Sequence, residues 1–119
     1  MSDQNKAILM QANAAIANGD YEGFLVYCSD DTQWNFVGDK ILYGKEAVRE
    51  WMRVTYLEPP KFMVSNIVAE DDFVIAMGKI AVRQPDGTTV QSEYCDVWSF
   101  KEGRMHVLNA YVVEVKSEL

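Results

Sequence analysis

Asp96 is the residue best placed to do chemistry in this chain. It sits in the run Glu93-Tyr94-Cys95-Asp96-Val97-Trp98-Ser99-Phe100, rich in β-branched and aromatic residues. Such a run reads as a strand, and strand side chains alternate in direction. Tyr94 and Trp98 therefore share a face with Asp96. A carboxyl among aromatic rings on a buried face needs a reason to be there. Two reasons are open. Asp96 is an acid or base acting on a ligand, or it accepts hydrogen bonds from Tyr94, Asn35 or a buried water and holds the fold. His106 is the only histidine, and it shares its parity with Leu108, Ala110 and Val112. On the face of Asp96 it adds a second titratable group to a pocket; otherwise it meets solvent or a partner chain. Cys28 and Cys95 are the only cysteines and lack metal-ligand spacing. Both thiols are expected buried and reduced, and no metal or cofactor is expected.

The elements that must position Asp96 follow from periodicity. Its run and Arg104–Val113 flank Lys101-Glu102-Gly103, a hairpin signal. Upstream, 61–69 and 73–83 read as two more strands, joined by Glu70-Asp71-Asp72, and Pro85-Asp86-Gly87 turns the chain into the strand at 88–100. Four long runs with short breaks make an antiparallel meander. Residues 116–119 read as a tail.

The first half is mostly helical. Ile8, Leu9, Ala12, Ala15 and Ile16 share a helical face, closed by Asn18-Gly19. Asp20 can cap a second helix that carries Phe24, Leu25 and Cys28 inward and ends at Ser29-Asp30-Asp31. A strand at 32–37 and a stub at 41–43 follow. Gly44 opens a third helix with Ala47, Val48, Trp51 and Met52 on one face, extended by Tyr56 and stopped by Pro59-Pro60.

Totals narrow the function. A length of 119 residues suits one domain, 1–119. A formal charge of -7 opposes nucleic acid and anionic membrane surfaces. No run reaches the ~20 apolar residues of a membrane span. The N-terminal residues lack the pattern of a signal peptide, so a cytoplasmic location is expected. Several strands are apolar on both faces: Phe73, Ile75 and Met77 alternate with Val74, Ala76, Ile80 and Val82. One face can pack on the helices. The other is expected to pair with a second copy, giving a homodimer through the sheet.

The order and details of these elements resemble the SnoaL-like and ketosteroid isomerase-like superfamily. Ala17-Asn18-Gly19-Asp20-Tyr21-Glu22-Gly23, Ser29-Asp30-Asp31, Gly44-Lys45-Glu46-Ala47-Val48, and Asp96-Val97-Trp98-Ser99-Phe100 before Glu102-Gly103-Arg104-Met105 are similar to its recurring motifs. The resemblance implies an α+β fold of the nuclear-transport-factor-like kind. This is a cone-shaped α+β barrel, a strongly curved and mostly antiparallel sheet wrapped around three N-terminal helices. It also implies a cavity at the wide end. Relatives use that cavity as isomerases, cyclases, hydratases or epoxide hydrolases, or for binding alone, so the fold does not settle the function.

Steroid isomerisation by the known route is disfavoured. Matching Gly44-Lys45-Glu46-Ala47 to the family puts the catalytic base at Asn35, an amide that cannot take a proton. Matching Asn18-Gly19-Asp20 puts the donor tyrosine at Ala12. Asp96 alone matches. An Asp-Arg-Asp arrangement of the epoxide hydrolase kind lacks a convincing arginine, since Arg83 lies near a turn. A cyclase-like acid/base role for Asp96, helped by Asn35 and His106, stays open. The resemblance thus implies Asp96 and Asn35 as the polar pair of an apolar pocket. Val37, Trp51, Tyr94, Trp98, His106, Leu108 and Ala110 are the expected ligand-binding residues. The expected partner is a small hydrophobic hydroxy- or keto-compound. A non-catalytic dimeric module that binds a ligand or a partner is the alternative.

Overall fold

The computed structural model describes residues 2–116, so 117–119 of the expected tail lie outside the described residues. The elements run α1 (Ser2–Ala17), α2 (Tyr21–Leu25), β1 (Cys28–Phe36), β2 (Lys40–Tyr43), α3 (Lys45–Thr55), β3 (Lys61–Glu70), β4 (Phe73–Arg83), β5 (Thr89–Lys101) and β6 (Arg104–Glu114). The strands form one sheet in the order β2-β1-β6-β5-β4-β3. β3 to β6 make the antiparallel meander expected from the sequence. β1 joins it parallel to β6, so the sheet is mixed but mostly antiparallel. α1 lies against β3 and β4, and α3 against β1. This is the cone-shaped α+β architecture.

Short-range chemistry sets the helix ends. Gly19 adopts φ 78°, where a side chain is strained. Its N–H donates to the Ile16 carbonyl, and that of Asp20 to Ala15, which closes α1. The Asp20 carboxylate then accepts from the Gly23 N–H at 2.9 Å and caps α2. α1 buries Leu9, Ala12 and Ile16; α3 buries Val48 and Met52. On the outside, Arg49 forks onto Glu22 and so links α3 to α2.

The second helix is shorter than its sequence suggests. It ends at Leu25, and Cys28 already belongs to β1. Ser29-Asp30-Asp31 is thus strand and not a helix end. Pairing with β6 overrides the local signal: Met105 N–H donates to the Tyr27 carbonyl at 2.9 Å, and the Thr32 hydroxyl donates to the carbonyls of Met105 and His106. α3 likewise stops at Thr55, with Tyr56 as its C-cap.

Irregularities curve the sheet. Register shifts interrupt β1 between Cys28 and Gln33, β3 between Val64 and Asn66, and the β5–β6 ladder between Ser99 and Phe100. Bulges of this kind bend a strand and tighten its twist. At Gly78 a Cβ atom would collide with the Met63 carbonyl. Only glycine lets β3 fold this closely over β4. The outward side of the sheet keeps Met63, Val68, Phe73, Tyr111 and Val113 exposed.

Candidate functional site

The inward row of β5 runs Trp98, Asp96, Tyr94, Ser92, Val90. Across the ladder to β6, Asp96 faces Ala110, Tyr94 faces Val112, and Ser92 faces Glu114. Towards β4, Asp96 faces Ala76 and Tyr94 faces Gly78. Ala110, Ala76 and Gly78 therefore flank the two polar residues, and their small size leaves open space in the bend of the sheet. The space is a cavity of about 440 Å³. That is the size of a small-molecule site.

An aromatic wall closes its deep end. The Trp34 ring packs edge-on against Trp51 at 5.8 Å and Trp98 at 5.9 Å between centroids. Phe36 and Tyr56 lie against Trp51 at 4.9 and 5.2 Å. Trp34 is buried, and among the described residues its indole N–H has no hydrogen-bond partner.

Asp96 lines this cavity, and no described residue hydrogen-bonds its carboxyl. Burial in the apolar pocket pushes its pKa up to about 7. At neutral pH it can thus give or take a proton. Two phenols stand near it. Burial pushes Tyr94 up to about 12, and the negative charge of Asp96 adds to the rise. Tyr56 is raised for the same two reasons, burial first, with Tyr21 contributing least. Both phenols stay protonated and can donate. With a neutral Asp96, its carboxyl and the two phenols are donors in the cavity lining, a set able to hold a carbonyl or a developing oxyanion.

Seven of the residues expected at the site do line the cavity: Asp96, Val37, Trp51, Tyr94, Trp98, Leu108 and Ala110. Asn35 does not. Trp34 and Phe36 take the inward positions of β1, and Asn35 between them turns outward. Its Nδ2 donates to Asn109 Oδ1 at 3.0 Å, an amide pair across the β1–β6 ladder. A one-residue slip in matching the strand moves a side chain to the other face of the sheet. His106 is also outside. The register shift opposite Phe100 lets Met105 and Leu108 both point inward, so parity counted back from Leu108 fails at His106. Its Nδ1 lies 2.9 Å from Ser29 Oγ and 3.4 Å from Asp31.

Tyr56 was not expected at the site. It lies on the irregular end of α3, where helical spacing no longer predicts direction. Trp34 and Phe36 are legible from the alternation of β1 once its phase is known. Ala12, matched above to the family's tyrosine, is fully buried in the core, and Arg83 is exposed at the end of β4. Among the described residues no cluster of three His, Cys, Asp or Glu is arranged to hold a metal.

The fold is widely shared among solved structures. An LEH-like epoxide hydrolase from M. tuberculosis superposes with a TM-score of 0.84 at 18% identity, covering 94% of this chain and 84% of its own. An NTF2-like protein from Burkholderia pseudomallei gives 0.83 at 17% identity, with 95% and 92% covered. TerC, co-crystallised with polyporic acid, gives 0.80 at 18% identity, with 92% of each chain covered. At these identities the likeness is one of fold. A sequence comparison with curated proteins matches none of them. The sequence profile of the SnoaL-like domain matches residues 10–107, and the chain belongs to that family.

Proposed function

We propose that the protein binds a small hydrophobic hydroxy- or keto-compound in its cavity and acts on it by acid/base catalysis at Asp96. The observation that carries this is a carboxyl facing about 440 Å³ of aromatic-lined space, poised near neutrality. A general acid or base works best with a pKa near the working pH. Tyr56 and Tyr94 would hold the substrate oxygen while Asp96 moves a proton at the neighbouring carbon. Isomerase-, cyclase- or hydratase-type chemistry fits that arrangement. The relative crystallised with polyporic acid supports a small organic ligand.

One observation favours a second reading, binding without turnover. Asn35 and His106 lie outside the cavity, so neither the imidazole nor the Asn35 amide helps Asp96. Solvent exchange separates the two. Neutral aromatic ketones are first screened by thermal shift, where binding raises the melting temperature by mass action. Hits are then followed in D₂O by NMR. Exchange of hydrogen at the carbon beside the carbonyl, lost in Asp96→Asn, is the catalytic result. Binding without exchange leaves a binding module. A flat thermal response across the library contradicts both and leaves a partner-binding role.

A homodimer through the outer sheet face is part of the same reading. Tyr111, Phe73, Val68 and Met63 lie on that face and are about half exposed. A cytoplasmic location accords with two free cysteines.

A further inference from the structure

We propose that the cavity selects its ligand by charge and length: a hydrophobic molecule with an oxygen acceptor at its inner end and a protonated amine at its outer end. This rests on the cavity being a small-molecule site.

The ionisable groups of the cavity lie at different levels along its axis, and the neutral polar side chains of Asn13, Thr55, Gln84 and Ser92 also line it. Donors stand near Asp96: the phenol of Tyr56, and, one inward position nearer the rim, that of Tyr94. A ligand oxygen can accept from these phenols. The outer part holds acceptors. Glu114 continues the inward row of Leu108, Ala110 and Val112, and it lines the cavity. Asp39 lines it from the turn between β1 and β2. Val37, two residues before Asp39, donates its N–H to the Ala110 carbonyl at 3.1 Å, which ties that turn to the same strand.

Among the described residues no cation of the cavity lining balances these carboxylates. Among the described residues no lysine, arginine or histidine lines the cavity, while Asp39, Asp96 and Glu114 do. The chain carries -7 overall. A cleft with low-dielectric walls focuses such a field. A hydrophobic molecule with an anionic outer end would meet like charge at the rim. An amine at the rim meets two carboxylates and remains in contact with water, so its desolvation cost is small.

Length follows from the register. Glu114 lies four residues beyond Ala110, the residue opposite Asp96. At ~3.3 Å per residue the two levels are roughly 13 Å apart along the strand. Phe62, Ile80, Val90 and Val112 line the cavity too and supply apolar wall.

The test uses the full chain and its own fluorescence, because all three tryptophans line the cavity. Three matched probes share an acetylbiphenyl body and carry, at the far para position, an aminomethyl, a hydroxymethyl or a carboxylate group. The amine is expected to bind about ten-fold tighter than the alcohol at low salt, with the carboxylate weakest, and the preference should shrink as salt screens the rim. In the double variant Asp39→Asn, Glu114→Gln the amine should fall to the affinity of the alcohol. Equal binding of amine and alcohol in the unaltered protein would overturn the charge selection and leave the cavity as a binding site. Quenching by none of the three would overturn both.

Discussion

Asp96 on β5 stands directly across the ladder from Ala110 on β6. Ala110 is buried, and its one-carbon side chain leaves the carboxyl facing open space. A larger residue there would occupy the space that a ligand needs. Ala110→Leu is therefore expected to weaken binding of any cavity ligand by ten-fold or more, at a stability cost of about 1–3 kcal/mol for overpacking. Titration of tryptophan fluorescence measures the first and urea unfolding the second. Unchanged affinity in a folded variant would place the ligand elsewhere.

The pKa of Asp96 predicts an unusual pH dependence of stability. In the unfolded chain the carboxyl ionises near its ordinary 3.8; in the fold it ionises near 7. Between those values the folded state binds more protons, so this group's contribution to stability falls as pH rises from about 4 to 7 and is level above. Asp96→Asn removes the penalty of a buried charge. It should be more stable than the parent at pH 8, by roughly 2 kcal/mol or more, and close to it at pH 4. Thermal melts across pH check the sign. A variant less stable at pH 8 would mean that the carboxylate has a favourable partner.

Gly78 is where β3 closes over β4, opposite Tyr94. A methyl group there strikes the Met63 carbonyl and also approaches the Tyr94 hydroxyl. Gly78→Ala should destabilise by about 3 kcal/mol or more, since backbone must move. It should also shift the near-ultraviolet circular dichroism of the aromatic wall. A near-neutral effect would show that the bend does not depend on this residue.

Much of this was legible in the sequence, for reasons that differ by residue. The four meander strands announce themselves through alternation and strong turns, and β4 begins and ends at the residues expected. Asp96, Tyr94 and Trp98 lie in the middle of an unbroken strand, so period two predicts their common face. Alternation misleads at His106 because the register shift beside it is a tertiary feature with no local signature. The expectation for Asn35 rests on a family motif matched across a turn, where one residue of slip inverts the direction. The early end of α2 reflects pairing of Cys28 with Met105, 77 positions away. Tyr56 reaches the cavity only because α3 stops before it.

The outer face offers a separate test. Tyr111 lies there beside Cys95, with Val113 further along β6. If two copies pair through this face, Tyr111→Glu places two carboxylates in an apolar contact and should convert a dimer to a monomer in light scattering after size exclusion. A parent that is monomeric at high concentration would contradict the pairing.

The proposed chemistry needs one buried carboxyl, that of Asp96, poised to exchange protons near neutral pH. The most direct measurement is a ¹³C NMR titration of the aspartate carboxyl carbons, with the Asp96 signal assigned by its loss in Asp96→Asn. The predicted midpoint is about 7. A midpoint near 4, the ordinary range of an aspartate, would show a solvated or partnered carboxylate and would contradict the proposed chemistry.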